Sequence, residues 1–361
     1  MSKAAELAAL IGSQSSLSNR NLIINGSMQV AQRGTSTSSV ASGGYYASDR
    51  WRIDYASAGT WTVSQSTTSP TGFSNSFKMD CTTADASLSA GDALIFNQRI
   101  EGQNLQHLKK GTSDAESVTL SFWVRSNKTG TYIAELIDND NTRGYSQSYT
   151  ISSANTWEHK TLTYSGDTTG ALGNDNGLSL YVNFWLAAGT DFTSGTLATS
   201  WEAQTSANRA VGQVNLADST SNDWYITGVQ LEVGEQATPF EHRSYADELQ
   251  RCLRYGWRIA EGLPKRVATG TWNNSISADI VWPLPVQMRA TPTLTVASNG
   301  TLLDFNVAWH SITSVTLSGE TSTRLVYVIC SVASSAAAQG DGAAWGSSAG
   351  ANPDAFLDAE L

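Results

Sequence analysis

The chain has 361 residues, of which 15% are charged, and its formal net charge at pH 7 is −10. A chain with this negative charge is poorly suited to bind the phosphate backbone of nucleic acids. Its 12 Trp and 12 Tyr residues argue against an intrinsically disordered chain. No stretch approaches the roughly 20 apolar residues of a membrane span and no signal peptide is visible, so we expect a soluble protein made in a cytoplasm, without membrane insertion.

The first predicted element is a short helix over residues 3–11, in which Leu7 and Ile11 share one apolar face. So short a helix does not hold in water unaided, and it therefore needs a partner surface or sister copies. The alternative is a frayed tail. Residues 13–20 follow as a linker rich in Ser and Asn. We therefore interpret residues 1–20 as an attachment segment.

Short strands with period-two alternation begin at Asn21. The clearest is Ser117–Arg125, and Leu178–Leu186 repeats its pattern. The residues predicted to face the core are Val118, Leu120, Phe122 and Val124 on the first strand and Leu178, Leu180, Val182, Phe184 and Leu186 on the second. Turn-forming residues separate such runs, and strands do not alternate with helices. This pattern predicts an antiparallel β-sandwich or jelly roll over residues 21–243.

One internal helix is predicted over Tyr245–Ala260, with Ser244 as its N-cap. It separates two β regions, so we interpret residues 244–263 as a helical joint. Residues 264–361 resume strand patterning, with strands predicted at Ser277–Leu284, Leu325–Val332 and Ala355–Leu361 and a loop at Ser334–Ala351. The expected fold class is therefore mainly β: an antiparallel jelly-roll sandwich, a short joining helix and a smaller C-terminal β domain.

Spacings typical of catalytic or metal-binding motifs do not occur in the sequence. The three cysteines, Cys81, Cys252 and Cys330, lie far apart and are expected to be buried small side chains. Asp138–Thr142 begins like a calcium loop, but Arg143 stands where that loop requires Gly, which favours a simple turn. A carboxylate pair for glycoside hydrolysis would be defined by its separation in space. We expect no enzymatic activity, no catalytic residue and no metal ligand.

The two best strands carry aromatic and polar side chains on the faces turned away from the predicted core. These residues are Trp123 and Arg125 on the first strand and Tyr181, Asn183 and Trp185 on the second. If the strands are neighbours, the five side chains form one patch, where a sugar stacks on the rings and polar groups take its hydroxyls. The alternative is that this face packs against the opposite sheet, a sister chain or a covering loop.

Several motifs together resemble those of bacteriophage tail-fibre and receptor-binding proteins that carry a β-sandwich like that of carbohydrate-binding modules. The resemblance covers roughly residues 21–260. The matching stretches are Asn21–Gly34, Asp49–Trp51, Gln98–Gly102, Ser121–Ser126, Thr156–Thr161, Asp223–Gly234, Ala237–Ser244 and Glu248–Tyr255.

The resemblance implies a tail fibre subunit in a homotrimeric virion appendage, with a jelly-roll sandwich and no catalytic residues. Calcium sites occur in related modules, but the resemblance places no calcium ligands in this sequence. Residues 1–20 would dock on another tail or capsid protein, and the fibre would contact host surface polysaccharide. Two alternatives remain: a capsid decoration or tail spacer protein without a ligand, and a polysaccharide depolymerase, which the lack of parallel β-helix repeats disfavours.

Overall fold

The computed structural model describes residues 19–259, 266–304, 308–346 and 353–361. The chain divides into two compact units, residues 1–248 with Leu361 and residues 249–360. The predicted helix over residues 3–11, and all but the last two residues of the attachment segment, lie outside the described residues. Within the described ranges, no helix is long and apolar enough to cross a membrane.

The first unit is an antiparallel β-sandwich. Its strands are β1 (Ser36–Val40), β2 (Gly44–Tyr45), β3 (Arg52–Ala56), β4 (Thr60–Ser66), β5 (Ser76–Thr83), β6 (Ala93–Glu101), β7 (Val118–Ser126), β8 (Gly130–Asp138), β9 (Arg143–Ile151), β10 (Glu158–Tyr164), β11 (Leu178–Ala188), β12 (Glu202–Ala203) and β13 (Asp223–Val233). A one-turn helix, α1 (Thr190–Thr193), follows β11. One sheet has the strand order β1-β4-β5-β13-β7-β10, and the other has the order β12-β9-β8-β11-β6-β3-β2.

The two sheets share one hydrophobic core, and period-two alternation decides which side chains enter it. The predicted inward residues Val118, Leu120, Phe122, Val124, Leu180, Val182, Phe184 and Leu186 are all buried, whereas Leu178, at the start of β11, is half-buried. Phe122 of β7 meets Phe184 of β11 edge to face, with ring centroids 5.0 Å apart. This aromatic contact joins one sheet to the other.

A buried ion cluster stands where β8 ends. The Nζ of Lys110 lies 2.5 Å from Asp138 Oδ2 and 3.0 Å from Asp167 Oδ2. The same ammonium donates hydrogen bonds to the carbonyl oxygens of Thr169 and Gly170, at 2.9 and 3.0 Å. Charges taken out of water need such partners, because an unpaired buried charge is strongly destabilising. The cluster therefore ties the end of β8 to the chain segment between β10 and β11.

The helix α2 (Tyr245–Leu253) begins as predicted, with Ser244 Oγ accepting a backbone N–H at its N-terminus at 3.1 Å. The predicted end at Ala260 is wrong, because Gly256–Ile259 forms a strand, β14. This strand pairs with Asp354–Asp358, about a hundred residues later in the chain. Local periodicity carries no information about so distant a backbone partner.

The second unit is also antiparallel β-structure. Its strands are β14 (Gly256–Ile259), β15 (Ala268–Asn274), β16 (Ser277–Pro283), β17 (Thr293–Ser298), β18 (Thr301–Leu303), β19 (Trp309–Leu317), β20 (Leu325–Val332), β21 (Gly342–Gly346) and β22 (Asp354–Asp358). Six of them close a barrel in the order β15-β16-β20-β19-β18-β21, and β14, β22 and β17 form a three-stranded sheet.

The predicted strands at Ser277–Leu284 and Leu325–Val332 are confirmed by β16 and β20. The loop predicted over Ser334–Ala351 is wrong in part, because it contains β21. The composition of β21 is typical of a loop, yet Trp345 is fully buried and the strand pairs with both β15 and β18. The expected fold class is confirmed: a mainly β chain with an antiparallel sandwich, a short helix and a smaller C-terminal β unit.

Candidate functional site

The five residues of the predicted patch fall into two groups. Trp123 and Arg125 lie on β7 of the six-stranded sheet, whereas Tyr181, Asn183 and Trp185 lie on β11 of the seven-stranded sheet. The strands are not neighbours, so the residues do not form one patch. Alternation identifies the outward face of each strand, but it does not identify which strands pair. A ligand-binding role for either group stays a prediction.

Trp123 and Arg125 contact other side chains on the outer face of their sheet. The ring of half-buried Trp123 lies 5.1 Å from that of His159. The Arg125 guanidinium stands 4.8 Å from the Tyr225 ring, a cation–π contact, and its Nε donates to the carbonyl oxygen of Asn155 at 3.0 Å. These contacts hold both side chains against the sheet surface.

Trp185 is fully buried although its strand turns it away from the main core. The helix α1 covers it, with the Phe192 ring 5.2 Å from its own. Its indole N–H donates to Glu135 at 3.0 Å, and the Arg209 guanidinium lies 4.9 Å from the ring. The structure therefore places Trp185 in packing beneath a covering loop, which is one of the alternatives left open by the sequence.

Tyr181 and Asn183 line a cleft of about 400 Å³ on the outer face of the seven-stranded sheet. The cleft spans β3, β6, β11 and β8, and the β8–β9 turn and the connection after β12 add to its walls. Its other lining residues were not predicted from the sequence; they are Asp54, Ile95, Ile137, Asn139, Thr142, Gln204 and Arg209. A half-buried tyrosine ring thus lies beside several amide, hydroxyl and charged groups.

A rung of polar side chains crosses the sheet at the cleft. Asn97 of β6 is directly opposite Asn183 of β11, and Asn183 is directly opposite Glu135 of β8. The Asn183 amide nitrogen donates to Glu135 Oε2 at 3.0 Å. The Asn97 amide nitrogen donates to Asp54 Oδ2 of β3 at 2.8 Å. Each amide is therefore held by a carboxylate, which fixes its orientation because a carboxylate only accepts hydrogen bonds.

Glu135 organises one side of the cleft. Only 1% of this residue is exposed. Arg209 binds it at two points, with Nε 2.8 Å from Oε1 and Nη2 2.9 Å from Oε2. The amide of Asn183 and the indole of Trp185 complete its shell. A two-point guanidinium–carboxylate pair is strong and strictly oriented, so it sets the position of Arg209 at the cleft wall.

Asp54 organises the other side, where two cations share its carboxylate. Arg99 Nη2 lies 3.3 Å from Asp54 Oδ1, and Arg52 forms a second ion pair with the same oxygen. The Arg99 guanidinium also lies 5.1 Å from the Tyr181 ring. Burial and the neighbouring charge of Arg99 lower the pKa of Arg52 below its ordinary value. Positive charge is therefore concentrated at this side of the cleft.

The described ranges contain no cluster of metal-binding side chains, and two of the cysteines have a raised thiol pKa. No group of three or more His, Cys, Asp or Glu side chains there is arranged to hold a metal ion. The three cysteines are buried, as predicted. Burial raises the pKa of the Cys81 thiol to about 11 and that of Cys330 to about 12, so both are protonated at neutral pH.

Aromatic rings and fixed hydrogen-bonding groups are what a carbohydrate site combines. The apolar face of a sugar ring stacks on an aromatic side chain, and its hydroxyls exchange hydrogen bonds with amides and charged groups. The cleft offers the Tyr181 ring, the amides of Asn183 and Gln204, and the guanidinium of Arg209 within one concave surface. Its chemistry therefore fits a glycan better than a purely apolar ligand.

No protein-family model and no curated protein matches the chain. Among solved structures, the enzymatically active domain of tailspike protein 4 of bacteriophage CBA120 is similar at 17% identity and a TM-score of 0.31, over 60% of this chain and 22% of that one. The C-terminal family 22 carbohydrate-binding module of Clostridium thermocellum Xyn10B is similar at 14% identity and a TM-score of 0.28, over 57% of this chain and 98% of the module. A family 11 carbohydrate-binding module of the same organism is similar at 10% identity and a TM-score of 0.26, over 56% of this chain and 100% of the module.

Proposed function

We propose that the first unit binds a glycan in the cleft of the seven-stranded sheet. The observation that carries the proposal is the cleft floor itself, where the Tyr181 ring lies beside the fixed amide of Asn183. The stacking surface and the polar partners of a sugar are thus present at one place. A single aromatic residue on a flat polar sheet would not suffice.

Ion pairs within the protein hold the side chains around the cleft in place. The floor of the cleft consists of central strands, and the ion pairs Glu135–Arg209 and Asp54–Arg99 hold its two sides. Side chains that are already ordered lose little conformational entropy when a ligand binds. Preorganisation of this kind favours recognition of one sugar arrangement over another.

We further propose that the site binds without catalysis. Hydrolysis of a glycosidic bond needs a carboxylic acid that can give a proton to the leaving oxygen. Asp54, which lines the cleft, and Glu135, which is almost fully buried behind Asn183 and Arg209, are both engaged by arginine side chains. Incubation of purified protein with any glycan that it binds should therefore produce no new reducing ends.

We propose that the protein is a tail fibre subunit of a bacteriophage virion that contacts host surface polysaccharide, and that it assembles as a homotrimer. The support is the set of eight motifs between residues 21 and 260, four of which overlap strands of the sandwich. A capsid decoration or tail spacer protein without a ligand is the competing function. It predicts that no glycan binds in the cleft.

A glycan array with three aromatic variants tests the cleft. Wild-type protein is expected to bind at least one oligosaccharide, and Tyr181→Ala is expected to weaken that binding. Trp157→Ala, on the outer face of the six-stranded sheet, is the matched control and should leave it unchanged. Loss of binding in Trp123→Ala but not in Tyr181→Ala would move the site to the other sheet. No binding by the wild type would favour the structural role without a ligand.

A further inference from the structure

Arg209 stands at the wall of the cleft with its guanidinium held along one edge. Its Nε and Nη2 atoms bind the two carboxylate oxygens of Glu135, at 2.8 and 2.9 Å. The rings of Trp185 and Phe192 lie 4.9 and 5.9 Å from the same guanidinium. Because the ion pair and the two rings fix the guanidinium, its remaining N–H groups are presented in a fixed direction.

The other edge of this guanidinium is open. A guanidinium carries five N–H donors, and Glu135 takes one from Nε and one from Nη2, so three remain. The Nη1 atom has no hydrogen-bond partner among the residues that the structure describes, and it is not one of their buried unpaired atoms. Arg209 lines the cleft, and 18% of its side chain is exposed. These donors are therefore accessible to a ligand.

The charges around the cleft leave a place for an anion. Of the described residues that line it, Asp54 and Arg209 are charged. Both oxygens of Asp54 are engaged within the protein, because Oδ2 accepts a hydrogen bond from an amide and Oδ1 pairs with Arg99 and Arg52. The three arginines outnumber the carboxylates of Asp54 and Glu135 by one. These five side chains therefore carry a net positive charge, on a chain whose net charge is −10.

We propose that the open edge of Arg209 binds the carboxylate of an acidic sugar, so that the cleft recognises a polysaccharide of uronic acids. The inference rests on the proposed glycan-binding function and names its ligand class. The Nη1 and Nη2 donors match the two oxygens of a carboxylate, and hydrogen bonds between charged partners are about twice as strong as neutral ones. The ring of the same sugar stacks on Tyr181, and the half-buried amide of Gln204 binds its hydroxyls.

The test compares uronic acid oligosaccharides with their carboxyl-reduced counterparts, in which each carboxylate has become a primary alcohol. The two forms share one backbone and the same ring hydroxyls, so a difference in affinity reports the carboxylate. Wild-type protein is titrated in a calorimeter with oligomers of glucuronic, galacturonic and mannuronic acid. At least one acidic form should bind about 10- to 150-fold more tightly than its reduced counterpart, as expected for a hydrogen bond to a charged group.

Two variants assign this preference to the wall of the cleft. Arg209→Lys should remove most of it, because lysine keeps a positive charge beside Glu135 but lacks the fork that binds a carboxylate at two points. Gln204→Glu leaves the ion pair of Arg209 intact and places a negative charge at the cleft wall. It should weaken binding of the acidic form at least about tenfold, because like charges repel, and affect the reduced form much less.

Gln236→Glu is the matched control. It makes the same substitution at an exposed residue after β13 that does not line the cleft. It changes the net charge of the chain as Gln204→Glu does, so it separates local repulsion from a general effect of charge. Its affinities for the acidic and the reduced oligosaccharide should match those of the wild type.

The outcomes separate the two proposals. Equal affinity for the acidic and reduced forms, or binding confined to neutral or sulfated glycans, would overturn the uronic acid inference and leave glycan binding in place. A preference for the acidic form that survives Gln204→Glu, or that Gln236→Glu weakens as much, would also overturn it, even where Arg209→Lys does not fold. A wild-type protein that binds no oligosaccharide overturns the proposed function together with this inference.

Discussion

Glu135 and Arg209 are 74 residues apart in the chain, yet their side chains form two parallel hydrogen bonds of 2.8 and 2.9 Å at the cleft wall. The carboxylate sits on a central strand and the guanidinium on a long connection, so the pair fastens that connection to the sheet. The same carboxylate orients Asn183 and Trp185. One ion pair therefore supports both the wall and the floor of the cleft.

Removal of Arg209 should destabilise the fold strongly. Arg209→Met leaves the carboxylate of Glu135 buried without a cation, and loss of one partner of a buried pair costs about 3–5 kcal/mol. Urea unfolding should show this decrease in the free energy of unfolding. Adding Glu135→Gln should restore part of it, because no buried charge then remains. Arg125→Met, which changes an arginine on the other sheet, should cost less than about 1 kcal/mol.

Trp185 and Tyr181 should respond differently to alanine. Trp185 is fully buried, so Trp185→Ala should lower the free energy of unfolding by about 3–5 kcal/mol, measured by urea titration. Tyr181→Ala should leave the fold nearly as stable and weaken glycan affinity by about 1–3 kcal/mol, roughly 5- to 150-fold, in calorimetric titrations. An unfolding curve for Trp185→Ala that matches the wild type would contradict the packing role.

The ion cluster around Lys110 should make the sandwich sensitive to acid. Burial raises the pKa of Asp167, but hydrogen bonds from Arg143 and Lys110 outweigh that effect and lower it below its ordinary value of 3.8. A carboxyl group whose pKa is depressed in the folded state stabilises the fold above its unfolded pKa, and that stabilisation is lost as the pH falls through the folded pKa. Melting temperatures between pH 7 and 2 should therefore fall below about pH 4.

Asp167→Asn is the variant that checks this assignment. It should melt lower than the wild type at pH 7, and the difference should shrink toward pH 2, where the wild-type carboxyl is also protonated. Asp114→Asn, which changes an exposed carboxylate, serves as the control. A constant difference across the whole range would mean that Asp167 acts through its shape and not through its charge.

The 361-residue chain should assemble as a homotrimer. A helix as short as the one predicted for residues 3–11 requires sister copies or a partner surface, and closed cyclic symmetry is usual in such assemblies. Multi-angle light scattering should give three times the 38.5 kDa of one chain at micromolar concentration. For the tail fibre subunit proposed above, deletion of residues 1–20 should leave the sandwich folded and abolish incorporation into the virion. A monodisperse monomer of the full chain would refute the trimer.

The strands could be predicted from sequence because their information is local. Phe122 and Phe184 stand in runs where every second residue is apolar, and the structure buries both. Glu135 had no such signal, because Ile133 and Ile137 on the same face of β8 are also apolar and buried. The strand β21 could not be predicted either, because its small residues are buried only through pairing with β15 and β18.

The cleft could not be predicted from the sequence, because its lining residues are brought together by the order of the strands in the sheet. Trp123 and Tyr181 both alternate outward, but β7 and β11 lie in different sheets, and only the register of the folded chain places Asn97 opposite Asn183. Arg209 belongs to a connection without any periodicity. Its role depends on the carboxylate of Glu135, 74 residues away in the chain, and no local sequence pattern indicates that partner.

The ammonium of Lys110 has four oxygen neighbours within 3.0 Å, two from carboxylates and two from backbone carbonyls. Oxygen ligands of this kind are what hard metal cations also bind. Here the cation is the side chain of Lys110, which is covalently attached to the chain, so neither dilution nor a chelator can remove it. The contribution of this cluster to the free energy of unfolding should therefore depend little on salt concentration, since buried ion pairs are screened much less than exposed ones.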